Sequence, residues 1–328
     1  MAVMTIEEVH SLGEKTLLDN GCDAANAAAV ARTMTAAERD GAQSHGLFRL
    51  PAYVKGLREG DANGSANPTV EKIAPSVLKV HGQEGFASLA LERAKDPLVT
   101  LAKEQGIAMC GLTRIRHFAA LWPEVEMLAE QGLVGFAVTA AVPYVAPAGG
   151  REALFGTNPM AFAWPRPDGD TLAFDQAASV IARGDVMIHA RDGLPVPEGT
   201  GLDKNGDPTT DPAEILDGGV QLAFGGYKGS AIALMIELMA GAMIGEVFSY
   251  EAKETAVPGC PFNGGEFLMA IDPSKTAGAS FLAHGEELLG KIENMEGARL
   301  PGSRRHANRA KGGPVEVSEK ILEAVAAL

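Results

Sequence analysis

The sequence predicts an α/β protein of the α+β kind, in which helices from both ends of the chain bracket a sheet-rich middle. Three observations carry this. Residues 5–41 and several stretches near the C-terminus pair helix-start chemistry or helical spacing with apolar positions. Between 133 and 175, short apolar runs alternate with Pro- and Gly-rich connections, which is the punctuation of strands joined by loops. And among 39 glycines, no G-x-G-x-x-G follows a strand and opens a helix, so the usual dinucleotide fingerprint is missing.

Taken in order, 5–20 and 23–41 read as a helical pair, with Val30, Met34 and Ala37 on one stripe of the second. Residues 47–57 continue as a helix that would put His45 and Arg49 on one face. A strand follows at 70–80, a helix at 85–105 and a short strand at 107–112. The middle strands fall at 133–141, 160–164 and 171–174. Residues 182–226 hold many Gly, Pro and Asp residues and read as a long excursion over the surface. Its Asp203-Lys204-Asn205-Gly206-Asp207-Pro208 lacks the spacing and terminal Glu of a calcium loop. Residues 230–247 carry Glu237, Glu246 and glycines, so a buried core helix is expected rather than a membrane span. A strand at 267–271 and helices at 275–289 and 318–327 complete the chain.

A formal charge of −14 and a pI near 5.0 exclude nucleic acid or an anionic membrane as the main partner, since both need a basic footprint. The N-terminus has neither a basic nor an apolar signal region, and Cys22, Cys110 and Cys260 are an odd number without C-x-x-C spacing, so a cytoplasmic protein is expected. Seven histidines show no H-x-x-x-H pair, so no metal site is expected.

The chemistry concentrates in Ser44-His45-Gly46-Leu47-Phe48-Arg49. It joins a base that titrates near neutrality to a guanidinium fork that grips carboxylates, which suits proton transfer to a small carboxylate substrate. The blander reading makes Ser44 an N-cap and leaves His45 and Arg49 solvated. Asp185 is a candidate carboxylate partner for His45. A serine hydrolase on Ser44 and His45 is disfavoured, because adjacent residues diverge in a helix or strand. Gly225-Gly226-Tyr227-Lys228-Gly229 could hold a phosphate on its amides, with Lys228 adding charge, or could simply start a helix. Arg114 with Arg116, and Arg304, Arg305 and Arg309, are basic clusters that in so acidic a chain suggest a phosphorylated cofactor.

Six motifs occur in the order seen in the malate/L-lactate dehydrogenase-like family of non-Rossmann oxidoreductases, and the chain resembles that family over nearly its whole length. They are the Ser44 to Pro51 segment, His117-Phe118-Ala119-Ala120-Leu121-Trp122, Phe155-Gly156-Thr157-Asn158-Pro159-Met160, Thr209-Thr210-Asp211-Pro212, the Gly225 to Gly229 loop and Arg299-Leu300-Pro301-Gly302. The alanine after His117-Phe118, and Gly184-Asp185, look most like the Δ1-piperideine-2-carboxylate/Δ1-pyrroline-2-carboxylate reductase branch.

The resemblance implies a mostly antiparallel cofactor-binding sheet flanked by helices. It implies a helical domain of 1–66 and 276–328, supplying the catalytic histidine and dimer contacts, and a sheet-rich domain of 67–275. It implies a proton relay of Ser44, His45 and Asp185, and a carboxylate clamp of Arg49 and Thr157. Cofactor contacts would come from His117, Phe118, Ala119, Ala120 and Leu121, from Asp175, Gln176 and Ala177, from Tyr227 and Lys228, and from Gly302, Ser303, Arg304 and Arg305. The expected activity is reduction of a cyclic 2-imino acid to L-proline or L-pipecolate by a homodimer, with NADPH as cofactor or NADH in its place. The alternatives are a 2-hydroxy acid dehydrogenase of the malate/lactate type and a catalytically silent relative that binds a nucleotide or a partner.

Overall fold

The computed structural model describes residues 1–117, 119–167, 170–254 and 264–328. Phe118 and Cys260 lie outside the described residues. Two units emerge. One is Met1–Ala137 with Ala161–Asp175 and Leu268–Leu328; the other is Val138–Met160 with Gln176–Phe267. The lines differ from the expected 1–66 with 276–328 and 67–275, because the second helix packs on both the helix at 87–105 and the strand before it, tying terminal helices and large sheet into one unit.

The first unit opens with strand β1 (Ala2–Met4), paired antiparallel with β13 (Val315–Val317), a closure of the two chain ends that the sequence did not announce. Helix α1 (Ile6–Asp19) starts at Thr5, whose hydroxyl accepts the Glu8 N–H while Glu8 returns a bond to the Thr5 N–H. Asp23 caps α2 (Ala24–Arg39) through the Asn26 N–H at 2.9 Å. Val30, Met34 and Ala37 are all buried, as their stripe predicts. With Val9, Leu17, Leu50 and Tyr53 from the N-terminal helices and Val317, Ile321 and Val325 near α12 (Glu319–Ala326), most of these build one core from both ends of the chain.

Helix α3 (Leu50–Arg58) is shorter than expected, since two 3-10 turns precede it. The expected strand at 70–80 is a hairpin instead, β2 (Thr69–Ala74) and β3 (Val77–Phe86), because Pro75 turns the chain. Helix α4 (Ala87–Gln105) ends at Gly106 in the left-handed region, and β4 (Ile107–Arg116) runs parallel to β3. Helix α5 (Trp122–Ala129), β5 (Val134–Thr139), β7 (Met160–Trp164), β8 (Leu172–Gln176) and β12 (Gly264–Ile271) follow, and the sheet runs β2-β3-β4-β12-β5-β7-β8. Leu98, Leu112, Ile115, Leu128 and Leu268 fill its core. Helices α9 (Ser274–Ala277), α10 (Ser280–Glu293) and α11 (Ser303–Lys311) complete the unit.

In the second unit, residues 182–226 are more structured than a surface excursion. They contain α6 (Arg183–Asp192), β9 (Gly201–Leu202), β10 (Pro208–Thr209), α7 (Pro212–Leu216) and β11 (Val220–Leu222), which join β6 (Val145–Ala146) in a sheet ordered β10-β9-β11-β6. Asp203 makes the β9–β10 turn, its Oδ1 accepting both the Asn205 and Asp207 N–H groups at 2.9 Å. Helix α8 (Tyr227–Glu237) runs on into a π turn at Leu238–Ala242. Here the expectation of a buried helix is corrected: Ala233, Ile236 and Ala240 are buried, whereas Leu234, Leu238 and Met243 are exposed. Among the described residues no helix is long and apolar enough to cross a membrane.

Candidate active site

The segment after α2 is neither helix nor strand, and this sets its chemistry. Gln43–His45 and Leu47–Arg49 are separate 3-10 turns, broken at Gly46 with φ −92° and ψ −140°. Tight turning brings neighbouring side chains together, so Ser44 Oγ lies 3.1 Å from His45 Nδ1. The expectation that adjacent residues must diverge therefore fails here, and Ser44 is a buried turn residue rather than an N-cap. His45 and Arg49 do not share one continuous helical face; instead Arg49 Nε donates to the Ser44 carbonyl at 2.7 Å and folds the turn back on itself. Burial, with the positive fields of Arg49 and His117, pulls the His45 imidazole down to about 3. His45 is therefore a neutral base at physiological pH.

His117 lies just past β4, and its Nε2 meets Glu124 Oε1 of α5 at 2.7 Å, both side chains being almost fully buried. Beside them opens a cavity of about 210 Å³, lined also by Arg116, Ala119, Ala120 and Ser88. That is room for a small molecule or for one end of a larger ligand. The Leu121 N–H donates to Asp175 Oδ2 at 3.1 Å, so two of the expected cofactor positions are brought together. Burial pushes the Asp175 carboxyl up against the opposing pull of Arg305 and of backbone N–H groups.

Helix α11 starts at Gly302 with φ 85° and no side-chain cap. Arg305 lies with its guanidinium 4.9 Å from the Trp122 ring centroid and donates to the Ala173 carbonyl, while Arg304 is exposed. Two arginines counted toward an anionic ligand meet protein carboxylates instead. Arg309 holds Asp40 and Glu126, and Arg114 pairs with Glu84. Of the α11 cluster that leaves Arg304 and Arg305 at the helix start, while Arg116 lines the cavity beside His117.

In the second unit, the carbonyl of half-buried Thr157 accepts the Ala178 N–H at 2.7 Å, next to Ala177. Asn158 follows in the left-handed region with φ 39°, held by its Nδ2 on the Ala233 carbonyl at 3.1 Å and Glu237 Oε1 at 2.7 Å. Asp185 sits in the first turn of α6, half-buried, and Gln176 is exposed at the end of β8. Gly226, with φ 63° and no side-chain cap, precedes Tyr227 and Lys228, both exposed at the start of α8. At Gly229 a Cβ would come within 2.3 Å of the Phe224 carbonyl, so the loop closes only on glycine.

The glycine-led starts of α8 and α11 each place an exposed cation, Lys228 or Arg304, at a helix N-terminus that would favour an anion, while the Lys228, Gly229, Ser303 and Arg305 N–H groups already meet backbone carbonyls. Sequence reasoning missed Glu38, Asp40, Glu124 and Glu237, all buried carboxylates that fix these segments. A signal existed for Glu38, which stands four residues after Met34 on the apolar stripe of α2, where a carboxylate needs a reason.

The model of the malate/L-lactate dehydrogenase family matches residues 4–326. A Δ1-pyrroline-2-carboxylate/Δ1-piperideine-2-carboxylate reductase of Pseudomonas aeruginosa is 45% identical over 95% of this chain and 94% of its own. Δ1-pyrroline-2-carboxylate reductase 1 of Burkholderia ambifaria is 44% identical over 94% and 92%. The crystal structure of Δ1-piperideine-2-carboxylate reductase from Pseudomonas syringae superposes with a TM-score of 0.93 at 39% identity, covering 99% of both chains. In sequence and in fold, the chain belongs to the malate/L-lactate dehydrogenase family of oxidoreductases.

Proposed function

We propose that the chain is an NADPH-dependent reductase of cyclic 2-imino acids, converting Δ1-pyrroline-2-carboxylate and Δ1-piperideine-2-carboxylate to L-proline and L-pipecolate. The observation that carries this reading is the Ser44–His45 contact of 3.1 Å on a turn that Arg49 closes, in a chain whose relatives of 41–45% identity are named reductases of these imines. The larger sheet, on this reading, is the mostly antiparallel cofactor-binding sheet of a non-Rossmann fold.

Reduced nicotinamide, when bound, supplies the hydride for the imine carbon. The chain's own residues supply the rest. Arg49, with Thr157, holds the substrate carboxylate through its guanidinium fork. That carboxylate offsets the Arg49 charge, which with burial and His117 depresses His45, and so shifts the imidazole toward holding a proton when substrate is bound. Nδ1 faces Ser44, which leaves Nε2 to give the proton to the imine nitrogen. Asp185 is the carboxylate proposed to support the imidazolium. Lys228 and Tyr227, and Gly302 to Arg305, are the proposed contacts for cofactor phosphates, with Arg304 or Arg305 on the adenosine 2′-phosphate. His117, Ala119, Ala120, Leu121, Asp175, Gln176 and Ala177 are the other proposed cofactor contacts. A homodimer in the cytoplasm fits the exposed apolar residues Leu234, Leu238 and Met243 and the buried thiols Cys22 and Cys110.

The test is a panel of pyrroline-2-carboxylate, piperideine-2-carboxylate and pyruvate with both nicotinamide cofactors. The cyclic imines are expected to turn over with NADPH and pyruvate far more slowly; a preference for pyruvate would move the assignment to a hydroxy-acid dehydrogenase. His45→Ala is expected to lower kcat by about two to four orders of magnitude with cofactor affinity unchanged. Near-normal turnover would remove His45 from the mechanism.

A further inference from the structure

We infer that Glu38 is a positioning residue, whose buried carboxylate holds the Gln43–Arg49 segment in the two-turn form that sets His45 and Arg49 on either side of Gly46. This rests on the reading of His45 and Arg49 as the proton donor and carboxylate clamp.

Were residues 43–49 one helix, the Leu47 N–H would go to the Gln43 carbonyl four residues back. Instead the Gly46 N–H takes the Gln43 carbonyl at 3.2 Å, and the chain breaks. Leu47 then begins a new turn with its N–H facing inward, where a backbone donor left without an acceptor is costly. Glu38 Oε1, nine residues away on α2, accepts that N–H at 2.7 Å. A carboxylate at the first N–H of a helical turn is also favoured by the turn's own dipole.

The fit extends to Gly46. A Cβ there would lie 2.1 Å from Glu38 Oε1, 2.4 Å from Cδ and 2.7 Å from Cγ, so the carboxylate occupies the space a side chain at 46 would need. Glu38 and Gly46 thus act as a single device, an acceptor and the gap that admits it. The residue is only 4% exposed, and burial pushes its carboxyl up to about 7 against the pull of the Leu47 N–H. Accepting this bond needs an oxygen at Oε1 rather than a negative charge, so glutamine should serve nearly as well.

Three variants, Glu38→Gln, Glu38→Leu and Gly46→Ala, are compared with wild type and His45→Ala for kcat and KM on pyrroline-2-carboxylate, NADPH affinity, and amide exchange across residues 43–49. Glu38→Gln should keep kcat within about threefold and the Leu47 amide protected. Glu38→Leu should lower kcat by about 10- to 100-fold, raise KM, leave NADPH affinity within about twofold and speed exchange at 43–49 by about tenfold or more, with α1 unaffected. Gly46→Ala should do the same, which keeps the inference testable if Glu38→Leu does not fold. Wild-type kcat in Glu38→Leu or Gly46→Ala, with His45→Ala inactive, would overturn the positioning role and leave the functional reading intact. Glutamine as damaging as leucine would also overturn it. Should His45→Ala stay active, the functional reading fails, and the exchange data alone decide whether Glu38 holds the segment.

Discussion

Glu38 and Asp40 stand two residues apart at the end of α2, both buried, yet their carboxyl groups are driven in opposite directions. Glu38 faces the His45 segment with a backbone N–H as its partner, and burial lifts it to about 7. Asp40 faces α11, and there burial is outweighed by Arg309 and Arg39, which hold its carboxyl below the ordinary range. Trp122 Nε1 adds a bond to Asp40 at 3.1 Å, and Arg309 continues to Glu126, making a bridge from α2 through α11 to α5. One region therefore uses a carboxylate as charge, in an ion network that fastens three helices. The other uses it as an oxygen acceptor in a turn proposed to carry the chemistry. Burial alone does not set a group's role; the partner that the fold delivers does.

Removing the cation should break this contrast most severely. Arg309→Met would leave Asp40 buried without its main partner, and a loss of about 3–5 kcal/mol in chemical denaturation at neutral pH is expected. The loss should shrink at pH 5, where Asp40, left with Arg39 as its cation, protonates more readily. An unchanged midpoint at pH 7 would mean that the network contributes nothing to stability.

Next in size is the pH response of Glu38. A carboxyl lifted in the folded state contributes stability that is fully present below its unfolded value of 4.5 and is lost as pH rises through about 7. At 1.36 kcal/mol per unit, the cost above that range is at most about 3 kcal/mol. Glu38→Gln removes this term, so its stability relative to wild type should rise between pH 5 and pH 8. Asp40 behaves oppositely: its contribution is present above its unfolded value and lost as pH falls through its depressed one. Parallel stability curves for the two proteins would refute the assignment to Glu38.

The smallest effect separates the two ends of α11. If its C-terminal Arg309 is structural and its N-terminal pair meets the 2′-phosphate, Arg304→Ala/Arg305→Ala should weaken NADPH by about 1.5–3 kcal/mol more than NADH, with a smaller loss of stability than Arg309→Met. Calorimetric titration of both cofactors decides this, and equal losses for the two would sink the 2′-phosphate contact.

Much of the protein was legible because it is local. The caps at Thr5 and Asp23, the buried stripe of Val30, Met34 and Ala37, and the strand at Met160–Trp164 each depend on residues within a few positions of one another. Each motif that marks the family is likewise a short run of residues, and the matching family model and relatives support the resemblance those motifs carry. What the sequence could not decide depends on partners far along the chain. Residues 43–49 carry nothing that forbids a continuous helix; the break at Gly46 is fixed by a carboxylate reaching over from another element. Arg304 and Arg309 look alike in sequence, and only the fold shows that Asp40 and Glu126, 269 and 183 residues from Arg309, have claimed the second. Local propensity and capping act within a turn or two of chain, whereas the pairing of a buried charge follows from which distant element is packed beside it, and that information exists only once the core has formed.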